Sequence, residues 1–143
     1  MSGYDYLRPG LNNVGSYSVS GMPYVTGALN APARSGTPLE IVFPFVTQTI
    51  KIHNNDASNG LRVGFSANGV KGTNHWLIEP HVPSGKTTDY TEFKIRTDRI
   101  FLLSDNASVA CTGSYVLAEL TGIKLDYNLA ANYSASVGYV GVG

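Results

Sequence analysis

Residues 41–56 read IVFPFVTQTIKIHNND, the most strand-like run in the chain, yet a proline sits inside it. Proline has no backbone N–H and interrupts a sheet ladder, so its presence needs a structural reason. The reason lies in the apolar phase. Ile41, Phe43 and Phe45 share one face under the two-residue period of a strand, whereas Val46, Ile50 and Ile52 take the other parity. A slip of one residue turns the second half of a regular strand inside out. A bulge or corner beside Pro44 restores the phase where the ladder is already broken. The run therefore reads as two strands joined at a bend, which in a sandwich is where the chain leaves one sheet for the other.

Working outward, strands are expected near 39–46, 47–54, 61–67, 75–79, 88–95, 99–104, 107–112 and 114–120. Turn signals such as Asn54-Asn55-Asp56-Ala57-Ser58-Asn59-Gly60, Asn68-Gly69 and Asp105-Asn106 separate most of them. About eight short antiparallel strands without a helix indicate an all-β, jelly-roll-like β-sandwich core over residues 39–121. On either side the sequence changes character. Residues 1–38 are punctuated by Gly, Pro, Ser and Asn, and read as an extended N-terminal arm with short extended pieces at 16–20 and 23–29. Residues 122–143 form a Gly- and Tyr-rich tail.

The aromatic residues follow the same borders. All five phenylalanines and Trp76 lie in the core section, whereas Tyr4, Tyr6, Tyr17, Tyr24, Tyr127, Tyr133 and Tyr139 lie outside it. Phenylalanine has only apolar surface to bury; tyrosine adds a hydroxyl suited to half-wet contacts and is enriched at interfaces. These seven tyrosines are the candidate subunit contacts. Arms of 38 and 22 residues span long distances when extended, at about 3.3 Å per residue.

Of the 143 residues, 43% are hydrophobic and 14% charged, and ten basic side chains cancel ten acidic ones. Such a chain has no field to draw nucleic acid or an anionic membrane, and little charge to keep copies apart. No window approaches the ~18 apolar residues of a membrane span, and MSGYDYLRPG lacks the basic and apolar regions of a signal peptide. Cys111 is the single cysteine and, beside Val109 and Ala110, reads as a small buried side chain rather than a reactive thiol.

Motifs that carry chemistry are incomplete. Ser84-Gly85-Lys86-Thr87 resembles the end of a phosphate loop, but Pro80 replaces the leading glycine and the strand-like TTDYTEFKI follows instead of a helix. Gly64-Phe65-Ser66-Ala67-Asn68 departs from a nucleophile elbow at Asn68, and Ser66 reads as a strand-end residue. His53, His75 and His81 do not share a helix face; Asp56, Glu79 or Asp89 would have to complete a metal site, and nothing in the spacing fixes their distances. Lys94, Arg96 and Arg99 surround Asp98 as a solvated strand end. The expectation is no catalytic, cofactor or metal site and no small-molecule substrate. One weak ligand platform remains, Trp76 with His75 and Asn74, against which stands burial of Trp76 in the core between Asn74 and Ile78.

The runs SGYDYLRPGLNNVGSYSVSGMPYVTG, FPFVTQTIKIHNND, LRVGFSANGV and SYVLAELTGI resemble the small structural proteins of virus and phage particles. Those proteins carry a single jelly roll or related sandwich and act as decoration, cement or penton-type subunits. The resemblance spans most of the chain in style, without a diagnostic motif. It implies a virion location after assembly in the host cytoplasm. The implied partners are the major capsid protein and further copies of this chain, as a trimer or pentamer, with neither nucleic acid nor membrane. A carbohydrate- or receptor-binding sandwich on a virion surface is the alternative.

Overall fold

Pro44 marks a change of sheet. In the computed structural model, which describes residues 22–81 and 89–122, strand β2 (Leu39–Val42) ends before the proline and β3 (Thr47–His53) begins after it in the opposite sheet. The corner is held from both sides. Phe43 N–H donates to the Asp98 carbonyl and Thr47 N–H to that of Thr97, at 2.8 and 2.9 Å, while Val46 C=O accepts both the N–H and the hydroxyl of Thr121. Phe43 and Val46 on either side of Pro44 and Phe45 are fully buried, as the phase slip requires.

The remaining elements are β1 (Met22–Ala31), β4 (Leu61–Gly64), a five-residue helix α1 (Ala67–Lys71), β5 (Trp76–Ile78), β6 (Tyr90–Phe93), β7 (Arg99–Ser104) and β8 (Cys111–Leu120). They form two four-stranded antiparallel sheets, ordered β1-β8-β3-β6 and β2-β7-β4-β5. The protein is thus an all-β sandwich. The pairs β1·β8, β2·β7, β3·β6 and β4·β5 are nested: the first strand pairs with the last and so inward to the β4–β5 connection. Ile50, Ile52, Val116, Ala118 and Leu120 from one sheet meet Ile41, Leu61, Val63, Ile78, Ile100 and Leu102 from the other, with Phe43 filling the corner.

Three expectations need correction. Residues 22–38 are not an arm, because Met22–Ala31 pairs along β8 as an edge strand. Its glycine and proline do not break the strand, because proline is tolerated at a sheet edge. The strands expected at 107–112 and 114–120 are replaced by one strand, β8, which begins at Cys111; residues 107–110 lie in the loop before it. Cys111 and Ser114, Val116, Ala118 and Leu120 point inward with opposite parity, and Gly113, at φ 81°, absorbs the slip. A matching irregularity on β1, with Ala28 at φ 53°, cancels the extra residue, so the register is recovered at Ala31↔Cys111. Finally, Asn68-Gly69 is part of α1 rather than a simple turn, with Ser66 as its N-cap: Ser66 Oγ accepts from Gly69 N–H at 2.9 Å.

Helix α1 lies against β4 at Gly64. A Cβ placed on Gly64 would stand 2.8 Å from Val70 Cβ and 3.1 Å from the Val70 backbone, with no flexible side-chain end to give way. Gly64→Ala is therefore expected to destabilise the protein by about 1–3 kcal/mol, read as a lower urea midpoint with an unchanged denaturant slope.

Candidate functional site

The described surface has three places where function can reside. The first follows from the nesting. Met22, where β1 begins, is paired with Leu120, where β8 ends. Residues 1–21 and 123–143 therefore attach at one end of one sheet. Tyr4, Tyr6, Tyr17, Tyr127, Tyr133 and Tyr139 lie outside the described residues, as does Ser84-Gly85-Lys86-Thr87. Tyr24 is half-buried, its ring edge-on to Phe43 with centroids 5.2 Å apart.

The second place is a cleft of about 360 Å³ lined by Val63, Phe65, Thr73, Asn74, His75, Trp76 and Phe93. It brings together all three residues of the expected ligand platform. Core burial of Trp76 is overturned: the residue is 58% exposed. β5 is an edge strand, so Trp76 has a neighbouring strand on one side only, at Val63. Phe65 and Phe93 meet at right angles with centroids 6.0 Å apart and form an apolar wall. His75 Nδ1–H donates to the Gly72 carbonyl at 2.8 Å, leaving Nε2 as the acceptor of the neutral ring. Burial, followed by the nearby Arg62 charge, lowers the His75 pKa and favours that neutral form. The cleft thus combines an aromatic surface, an amide and an imidazole, the mixed lining of a small-ligand site.

The third place is at the far end of β3, about 20 Å along the strand from Thr47. His53 Nε2 and His81 Nδ1 both donate to the same oxygen of Asp89, Oδ2, at 3.1 and 2.5 Å. The Asp89 side chain is 9% exposed, between imidazoles 34% and 35% exposed. The His81 hydrogen bond leads the influences that hold the Asp89 carboxyl below its ordinary pKa. Among the described residues this is the group whose donor atoms approach closely enough to share a metal ion. Glu79 and Asp56 do not join it.

Asp56 instead organises the loop beneath. Asn54, completely buried, donates from Nδ2 to the carbonyls of Asn59, Ile78 and Glu79, and its Oδ1 accepts from Asp56 N–H and the Cys111 thiol. Asp56 accepts the backbone N–H groups of Ser58, Asn59 and Thr112. The run Asn54–Gly60 signalled a turn in the sequence, but nothing there showed that it would tie β3, β5 and β8 together. Cys111 is fully buried, and burial pushes its thiol up to about 11, consistent with an inert side chain. Ser66, despite following a strand and preceding a helix, is spent on capping α1. In the basic cluster, Arg99 pairs with Asp98 and Glu40.

The chain matches no protein-family model, no curated protein and no solved structure.

Burial favours the neutral form of Asp56, but the backbone donors Thr112, Ser58 and Asn59 outweigh it and lower the carboxyl from 3.8 to about 2. A depressed carboxyl contributes stability that is complete above its unfolded pKa and is lost as pH falls through the folded value. Asp56→Ala is thus expected to cost about 1–2 kcal/mol at pH 7. The gap between variant and parent should narrow as pH falls from about 4 toward 2, as checked by urea unfolding across that range.

Proposed function

We propose that this chain is a structural protein of a virus or phage particle, a single jelly roll that assembles with itself and with a major capsid protein to decorate or stabilise the shell. The observation that carries this reading is the nested strand order, β1-β8-β3-β6 over β2-β7-β4-β5. It is the order produced by rolling up one long hairpin, and such two-sheet rolls serve as viral capsid and lectin domains. The attachment of both terminal stretches beside the Met22–Leu120 pair adds to it. Six of the nine tyrosines lie in residues 1–21 and 123–143, so their contacts would issue from one point of the fold. Two segments starting together can grip one neighbouring surface at high effective concentration. A net charge of zero suits packing against protein rather than genome.

The full chain is expected to form a closed trimer or pentamer in size-exclusion chromatography with light scattering, and residues 22–122 alone to remain monomeric. A full chain that stays monomeric and binds no capsid subunit would remove the reading.

A second reading is supported by the exposed Trp76. Carbohydrate recognition in the Trp76–His75–Asn74 cleft would make the sandwich a receptor- or glycan-binding module on a virion surface. An indole face stacks on the apolar face of a sugar, while Asn and His meet its hydroxyls. Glycan-array binding reduced at least about tenfold by Trp76→Ala, a loss of about 1.4 kcal/mol, is the expected signature. Unchanged binding in the variant, or no glycan bound by the full chain, excludes this role.

A further inference from the structure

We infer that His53, His81 and Asp89 form a binding site for a first-row divalent transition ion of the zinc class, on the opposite end of β3 from the Thr47 corner. The site stands independently of the assembly role proposed above. One donor atom from each of His53, His81 and Asp89 lies within 4.8 Å of the other two. Zinc bonds to histidine nitrogen and carboxylate oxygen of about 2.0–2.2 Å place neighbouring donors of a tetrahedron about 3.3 Å apart. The His53–Asp89 separation, 3.1 Å, lies close to that edge, and the His81–Asp89 separation, 2.5 Å, is shorter, so the cluster admits the ion if His81 draws back from Asp89 by somewhat under an ångström.

The chemistry of the set is selective. Two imidazoles and one carboxylate suit zinc, nickel, cobalt or iron, whereas calcium and magnesium call for a shell of oxygens. On binding, each imidazole presents a lone pair where it now presents an N–H. A neutral ring does this by moving its proton to the other nitrogen, without net release. Asp89 supplies the negative charge. The half-exposed imidazoles leave the outer side open for water as the remaining ligand.

The backbones that carry the ligands are held against one another. Asn54, which follows His53, donates its N–H to the Asp89 carbonyl at 2.7 Å, and His81 N–H donates to the Asp56 carbonyl at 2.8 Å. The stretch that begins at His53 thus holds the other two ligand residues, and is itself braced by the Asn54 and Asp56 side chains. Three donors pre-positioned by these backbone hydrogen bonds lose little freedom on binding a cation. His53 also lies in register with Tyr115 of β8 and Tyr90 of β6, its ring centroid 6.5 Å from that of Tyr115. These half-exposed tyrosines form the surface beside the site.

The test is calorimetric titration of the full chain with Zn²⁺ at neutral pH, with Co²⁺ as the spectroscopic probe. The expected result is one ion per chain. His81→Gln and Asp89→Asn, which preserve size and polarity, should weaken binding by about 100-fold or more. His75→Gln, outside the cluster, should leave it unchanged. X-ray absorption on the cobalt-loaded parent chain is expected to show two imidazole ligands and needs no variant. Absence of stoichiometric binding, binding insensitive to His81→Gln and Asp89→Asn, or fewer than two imidazoles on cobalt would each overturn the site.

Discussion

The buried amide of Asn54 is the interaction on which much of this sandwich depends. A fully buried side-chain amide is costly unless its polar atoms find partners. Here Nδ2 and Oδ1 together reach the β3–β4 loop, the end of β5 and the first residue of β8. No hydrophobic contact could specify that meeting point, since apolar packing is indifferent to small sliding motions. The amide is not indifferent: one step of register in any of the three elements would leave donors or acceptors buried and unmet. The loop ends that carry His53, His81 and Asp89 inherit their positions from this joint. At the other end of β3, threonines have a comparable role. Thr47 Oγ1 donates toward the carbonyls of Ile95 and Thr97, joining the β2–β3 corner to the β6–β7 connection that also crosses between sheets.

How legible this was in the sequence depended on the range of each interaction. Local conflicts between pattern and residue were readable. The phase change at Pro44 pointed to a corner, and the corner is a change of sheet. Gly113 posed a similar conflict, but a slip can be met by a bulge within one strand as well as by a break between two. Which of these occurs depends on the partner strand, here β1 with its compensating irregularity at Ala28. β1 itself was hidden because an edge strand need satisfy only one neighbour and tolerates Pro23 and Gly27. Gly27 has a positive reason to be there, since the Tyr115 ring occupies the space where its side chain would stand.

The candidate sites were less legible for a related reason. Asn74, His75 and Trp76 are consecutive, so their cooperation was readable; whether Trp76 faced the core or solvent depended on β5 being an edge, which is a property of strand order. His53 and His81 reach Asp89 across 36 and 8 residues respectively. Nothing in those spacings forecasts a shared oxygen. It arises because β3 and β6 are paired, placing His53 opposite Tyr90, the residue after Asp89.

The edges of the sheets carry one more consequence. β2 and β6 have four residues and β5 has three, while the longest edge strand, β1, carries a proline at its second position and is kinked midway by a positive-φ alanine. Among the described residues, the sheet edges thus offer an incoming strand only short or warped rows to extend. The fold is therefore guarded against open-ended stacking into fibres, a hazard for any β-protein held at high local concentration.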